Sequence, residues 1–280
     1  MADIRKTSIH SLVLMYAIVI IFTILAIYPI FWLIIQSFKT TQEFLTTSRL
    51  GFPQNWYFHN YPATWTLARF DILMLNSFIY TSVTAVVTII LSFMAGFAFA
   101  KIPSKFTPLL HGIFIIGILL TLQSIMVPLF LMINTVGLFN TRLGVLIPYI
   151  GTGLPIGIYL STEYIKGIPD EILESARIDG AKYHKIFWRI IMPMAAPVAT
   201  TVAILTVRGT WNEFMLINIL VSSSSLRSLP VGISMFSGAL ASDFGKQFSA
   251  LVIGMTPMII FYLILRKRIT QGAAVGAVKG

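Results

Sequence analysis

From Thr7 to Phe38 the chain carries no charged residue, and a run of that length leaves a polypeptide few choices. An α-helix rises about 1.5 Å per residue, so about 20 apolar residues cross a hydrocarbon core about 30 Å thick. A secretory leader has an apolar core of only roughly 7–15 residues followed by a small-residue cleavage site. The run therefore predicts a retained first span near 12–36. Five further stretches read the same way, near 75–100, 109–133, 143–162, 194–216 and 248–265. The fourth contains Pro148, Gly151, Gly153 and Pro155. Such breakers are tolerated at membrane depth where protein covers the backbone or a cavity faces it, which predicts a span that is packed inside or kinked. The expected fold class is all-α: a polytopic membrane protein with six transmembrane helices, one domain over 11–268 between tails at 1–10 and 269–280.

Composition agrees. Charged residues are 11% of the chain, against nearer a quarter in soluble domains, and the mean hydropathy is +0.85. With no cysteine, a disulfide framework and thiolate metal sites are excluded. A net charge of +10 would suggest nucleic acid in a soluble protein. In a membrane protein it reflects basic residues kept on the cytoplasmic side, and no nucleic-acid partner is expected. With the amino terminus inside, 13 lysines and arginines fall in inner segments, 6 in outer ones, and Arg208 within a span. Both termini and the loop 163–193 are thus expected in the cytoplasm, with 39–71 and 217–247 outside. The aromatics of the first outer segment, from Trp56 to Trp65, fit placement at the bilayer interface.

The loop 163–193 stands apart. Ten of the 30 charged residues lie between Glu163 and Arg189. Pro169 suits a first helical position, and Asp170 and Glu171 place negative charge where the helix dipole favours it. Ile168, Ile172, Leu173 and Ala176 make an apolar stripe at helical spacing, with Glu174, Ser175 and Arg177 facing elsewhere. Asp179-Gly180 reads as a stop, glycine being free to take a left-handed cap. A second amphipathic run, Ala181 to Ile191, ends ahead of Pro193. A charged helix-turn-helix between two spans needs a docking partner.

The segment ESARIDGAKYHKIFWRIIMP, Glu174 to Pro193, is similar to the cytoplasmic-loop signature of the permease subunits of ATP-binding-cassette importers. That signature is Glu-Ala-Ala, three residues, Gly, nine residues, then Ile-x-Leu-Pro. Glu174, Ala176, Gly180, Ile190 and Pro193 match it at the required spacing, while Ser175 and Met192 depart conservatively. ARIDGA and the WNEF at Trp211 to Phe214 resemble the carbohydrate-uptake branch, the maltose-permease type in particular, and the likeness runs from Asn76-Ser77 to the GAVKG ending. The resemblance implies the type I importer permease fold, with a cytoplasmic coupling helix at 169–180. It implies that Glu174, Ser175, Ala176, Asp179 and Gly180 couple to an ATPase subunit. The partners it implies are a second permease, two cytoplasmic ATPase subunits and an external solute-binding protein. ATP with Mg would be bound on the ATPases, and no cofactor on this chain. The implied activity is import of a sugar or oligosaccharide across the cytoplasmic (inner) membrane, with ATPase closure transmitted through the 169–180 helix. Its apolar stripe, Ala176 included, could then sit in a groove on the ATPase.

No phosphate-binding loop of the Gly-rich Lys-Ser/Thr kind occurs, nor His-Glu-x-x-His or Gly-x-Ser-x-Gly, and the four histidines are scattered. No catalytic or metal-binding residue is assigned. Polar residues within spans are costly unless paired or facing a cavity. At about 1.5 Å per residue from Pro108 and Pro193, Gln123 and Arg208 each lie roughly 22 Å from the inner boundary. Asn212, Glu213 and Asn76 fall near the same level. These five are candidates for a translocation path or outer gate. Interhelical hydrogen bonding or interfacial exposure is the competing account, above all for Asn76 and Glu213. A permease for another solute remains open. An ion-coupled secondary transporter would need mid-membrane carboxylates, which the span interiors lack apart from Glu213 near the outer end.

Overall fold

The computed structural model describes residues 9–237 and 243–277, with side chains from 11 to 236 and from 243 to 264. Expectations for residues 1–8 and 278–280, and for the side chains of Arg266, Lys267 and Arg268, lie outside that description. Among the described residues there is no strand. In chain order the helices are α1 (Ile9–Gln36), α2 (Thr41–Thr46), α3 (Asn60–Leu67), α4 (Phe70–Lys101), α5 (Thr107–Leu119), α6 (Leu122–Thr135), α7 (Arg142–Lys166), α8 (Asp170–Ile178), α9 (Tyr183–Ile186), α10 (Met192–Met194), α11 (Ala196–Trp211), α12 (Met215–Leu220), α13 (Leu229–Ser234) and α14 (Phe244–Ala277). A π-helical turn, Phe187–Ile191, joins α9 to α10.

Four helices are long and apolar enough to cross a membrane: Ser11–Gln36, Phe70–Lys101, Arg142–Lys166 and Phe244–Ile264. Six crossings result only if two bent pairs each count as one. The stretch expected as a single span at 109–133 is two helices, α5 and α6, bent by 109°. Leu120 and Thr121 are extended at the break, and the Thr121 and Ser124 hydroxyls bond each other at 2.8 Å. The stretch expected at 194–216 is also cut: α11 ends at Trp211, and its axis turns by 77° from that of Tyr183–Met194. The segments expected outside, 39–71 and 217–247, contain short helices, α2 and α3 in the first and α12 and α13 in the second.

The chain divides into two compact units. In the first, residues up to Ala68 together with 233–256, aromatic packing joins Trp32 and Phe44 to Phe244 and Phe248, with ring centroids 5.0–6.5 Å apart. Asn60 is buried and donates to the Ser37 and Lys39 carbonyls at 2.8 and 2.9 Å. Asp243 accepts from Thr41 at 3.0 Å and pairs with Lys246 at 2.6 Å. Burial alone would raise the Asp243 carboxyl, but the Lys246 and Thr41 donors outweigh it and hold the group below the usual range.

In the second unit, Arg69–Gly232 with the chain from Pro257 onward, α4 packs along both α7 and α11. The approach of α4 to α7 is close because small residues face each other. A Cβ on Gly157 would lie 2.3 Å from Ser92 Oγ, and one on Gly96 would lie 2.3 Å from Ser161 Oγ. This is the packing by which membrane helices associate when hydrophobic burial gives no advantage over lipid. Two apolar clusters hold the ends of the bundle. One gathers Tyr80, Val145, Tyr149, Leu216 and Ile217, and the other Phe93, Phe97, Ile165, Leu173, Ile186 and Phe187.

Candidate functional site

The loop after α7 turns at Gly167 and enters α8 with Pro169 as its N-cap, in extended conformation, so that Asp170 rather than the proline opens the helix. The far end is closed by two bonds. Gly180 N–H donates to the Arg177 carbonyl at 3.0 Å and Ala181 N–H to that of Ala176 at 2.9 Å. This double closure requires a left-handed residue, and Gly180 supplies it at φ +75°. The C-terminal end of the helix is therefore fixed by its own backbone.

Its apolar stripe faces the chain's own interior. Ile168 and Leu173 are buried, and Ile172 and Ala176 pack against the cluster around Phe93, Phe97 and Phe187. Ala176 is thus set against this chain's core, with part of its surface left accessible. Glu174, Ser175, Asp179 and Gly180 are exposed, and Ser175 Oγ donates to the Glu171 carbonyl at 2.6 Å. The outward face carries Glu171, Glu174, Ser175 and Ile178, spaced i, i+3, i+4, i+7. Ile178 is 86% exposed. Sequence reasoning missed it, although an isoleucine off the apolar stripe and on the charged face was the available signal.

The five polar residues grouped by depth separate. Asn76 is 1% exposed and fully engaged: its Nδ2 donates to the Ser225 and Arg227 carbonyls at 2.8 and 3.0 Å, and its Oδ1 accepts from Arg142 at 3.2 Å. It fastens the start of α4 to the 222–228 segment. Asn212 is exposed and caps α11, donating to the Arg208 carbonyl at 2.9 Å. Gln123, in the first turn of α6 just past the break, and Arg208, on α11, are both exposed.

Glu213 lies at a cavity of about 240 Å³. Leu122 opens this cavity from the start of α6, Tyr149 and Thr152 line it from α7, and Thr206 and Thr210 from α11. Thr206, Thr210 and Glu213 follow each other at i, i+4 and i+7, a spacing legible in the sequence but not singled out. The Glu213 carboxylate accepts from Tyr149 OH at 2.6 Å and from the backbone N–H groups of Leu216 and Ile217 at 2.7 and 3.1 Å. It thereby satisfies donors that the first turn of α12 would otherwise leave unpaired. The α5–α6 break adjoins the same cavity through Leu122. From Leu119 to Leu120 and at Thr121, Gln123 and Ser124 the chain is exposed there.

Among the described residues the arrangement offers a largely apolar cavity between spans, with a few hydroxyls and one carboxylate in its lining, and a helix held outside them; this is the equipment of a membrane permease subunit. Residues 88–274 match the family described as binding-protein-dependent transport system inner membrane component, and the chain belongs to that family. It is similar to the trehalose transport system permease protein SugB of Mycobacterium tuberculosis, at 31% identity over 91% of this chain and 93% of that one. It is likewise similar to the trehalose/maltose transport system permease protein MalG of Thermococcus litoralis, at 30% identity over 93% of this chain and 94% of that one. The fold is that of a chain from the crystal structure of a bacterial ABC transporter involved in importing the acidic polysaccharide alginate. The TM-score is 0.82 at 22% identity, covering 95% of this chain and 99% of the other. The protein is a multi-pass membrane protein of the permease class.

Proposed function

We propose that this chain forms half of the translocation path of an ATP-driven, binding-protein-dependent carbohydrate importer. It lies in the cytoplasmic membrane with both termini inside. A second permease supplies the other half, two ATPase subunits bind ATP with Mg in the cytoplasm, and an external protein delivers the sugar.

The observation that carries the reading is the break between α5 and α6 beside the hydroxyl-lined cavity. From Thr107, α5 rises about 20 Å at 1.5 Å per residue, so the break falls inside a core about 30 Å thick. Exposed irregular backbone is tolerated there only against protein or water. That face is therefore covered by the second permease or opens on the path, and the Tyr149, Thr152, Thr206 and Thr210 hydroxyls beside it suit a polyhydroxylated solute. The similarity to trehalose and maltose permeases over nine-tenths of the chain supports a carbohydrate. Gln123 and Arg208, each next in sequence to a residue that lines the cavity, are the gate candidates of this reading.

Force from the ATPases enters through the outward face of α8. Glu171, Glu174, Ser175 and Ile178 meet the partner, and Asp179 and Gly180 fix the helix end. In proteoliposomes the chain purified with its partners should take up trehalose or maltose only with ATP and binding protein, and the chain alone should neither hydrolyse ATP nor concentrate sugar. Proton- or sodium-driven uptake by the isolated chain would replace this reading with a secondary transporter. Orientation is tested by single cysteines at Thr47, Ser224 and Lys182 with an impermeant thiol reagent on spheroplasts. Labelling at 47 and 224 but not at 182 is expected.

A further inference from the structure

We infer that Lys101 is the positioning residue that ties the coupling helix α8 to the span α4, so that the two move as one body when the ATPases close. The inference rests on the reading of α8 as the helix that meets the ATPases.

Lys101 ends α4, and its side chain is only 5% exposed. Its ammonium donates to the Ile168 carbonyl and to Asp170 Oδ1, both at 2.6 Å. The two acceptors bracket Pro169, the N-cap of α8. Among the described residues this is the one ion pair joining α8 to a span. Charge-assisted bonds of this length are the strong and directional ones.

The geometry says why a tie is needed there. One side of α8 rests on the apolar cluster through Leu173 and Ile172. Leu173, Glu174 and Arg177 also line an open crevice of about 480 Å³, together with Ser104 and Thr107. Apolar packing resists separation but tolerates sliding, so a directional, charge-assisted bond at the first turn is what fixes α8 against α4. Lys101 crosses at the edge of that crevice and pins the first turn. Since α4 packs along both α7 and α11, which line the cavity, the pin also joins the displaced helix to the cavity walls. Its covalent links to α7 through Gly167 and to α11 through the π-helical turn leave α4 connected to α8 by contacts alone.

The test uses the complex purified on this chain from native membranes, with cysteines at Arg177 and Met94, exposed positions on α8 and α4 outside the docking face, carrying spin labels. The chain has no other cysteine. In wild type the 177–94 distance should stay narrow and equal with and without ATP plus vanadate. Lys101→Met, which keeps the stem and removes the charge, should retain its ATPases yet show a broadened distance under ATP. Stimulation of ATPase activity by the binding protein should fall at least about fivefold, the lower end of typical allosteric couplings, and Lys101→Arg should restore both. A Lys101→Met complex with a narrow distance and undiminished stimulation overturns the inference. If Lys101→Met fails to insert, Asp170→Asn, which keeps the bond to Ile168, replaces it: a broadened distance supports the tie, and wild-type behaviour overturns it. Ile178→Asp separates the two readings. If it keeps its ATPases and their stimulation, α8 is not the docking helix and both readings fall. If it releases them while Lys101→Met behaves as wild type, only the tie falls.

Discussion

The Tyr149 hydroxyl donates to the Glu213 carboxylate across 2.6 Å, joining the middle of α7 to the start of α12. The same carboxylate holds the Leu216 and Ile217 N–H groups, and the side chains of those two residues are fully buried in the apolar cluster around Tyr80 and Val145. Glu213 is therefore a structural hub at the rim of the cavity. Glu213→Ala should lower stability by about 2–4 kcal/mol, since a bond to a charged group contributes about 1.5–3 kcal/mol and a lost helix-start acceptor about 1. Tyr149→Phe removes only the bond from the phenol to the carboxylate and should lose about 1.5–3 kcal/mol. Thermal unfolding in detergent, followed by tryptophan fluorescence, measures both. Equal melting of Glu213→Ala and wild type would remove the hub.

The close approach of α4 and α7 makes a second prediction. A Cβ at Gly157 would meet Ser92 Oγ at 2.3 Å and Ser92 Cβ at 2.9 Å. The hydroxyl can rotate away, but the Cβ cannot. Gly157→Val should force the helices apart at about 1–3 kcal/mol, the usual range for overpacking. Ser92→Gly in the same chain should recover much of the loss, because it vacates the space in question. A Gly157→Val variant as stable as wild type, or one that Ser92→Gly does not help, would mean that the interface is loose.

How far the sequence led depended on whether the determining partner was local. Gly180 was readable as a left-handed cap because Asp179-Gly180 follows an amphipathic run, and the first span because Thr7 to Phe38 has no charge. Asn76 was readable as a polar residue at the start of a span, but its partners, Ser225, Arg227 and Arg142, lie far along the chain. Depth alone could not tell a gate from a fastening. The α5–α6 break was hidden because Leu119-Leu120 is as apolar as the helices on either side, and only the pairing of Thr121 with Ser124 marks it. The stripe of α8 was seen correctly as a stripe, but periodicity does not say whether an apolar face meets a partner or its own chain.

Acid stability supplies a third prediction. Asp243 is held below the ordinary aspartate value of 3.8 by Lys246 and Thr41 in spite of its burial. A carboxyl depressed on folding contributes stability above the unfolded value and loses it as pH falls through the folded value. Asp243→Asn should therefore melt below wild type at neutral pH, and the gap should close as pH falls below about 4. Melting curves of both proteins between about pH 3 and about pH 7 test this. A gap that persists unchanged at the acid end would show that the Asp243 charge is not the source of the difference.

The last prediction separates the two faces of α8. Ala176 packs inward against the cluster that includes Phe93 and Phe187, whereas Ile178 stands 86% exposed one turn from Glu174. An exposed isoleucine on a charged helix gains nothing from water, and burying such a side chain in a partner's groove is worth about 1.5–3 kcal/mol. If that groove belongs to the ATPase, Ile178→Asp should leave insertion and melting of the chain unchanged while the ATPases are lost on detergent purification. The expected weakening is of order tenfold to a hundredfold, from the loss of that burial and the added desolvation of a carboxylate. Ala176→Trp should do the reverse at first. It overpacks the chain's own core at about 1–3 kcal/mol, so its melting temperature should fall even when no ATPase is present. Two measurements on each variant decide the matter: melting of the isolated chain and retention of ATPases on a tagged chain. An Ala176→Trp chain that melts like wild type but sheds its ATPases would show that the stripe faces the partner. An Ile178→Asp chain that keeps them would show that the exposed face does not.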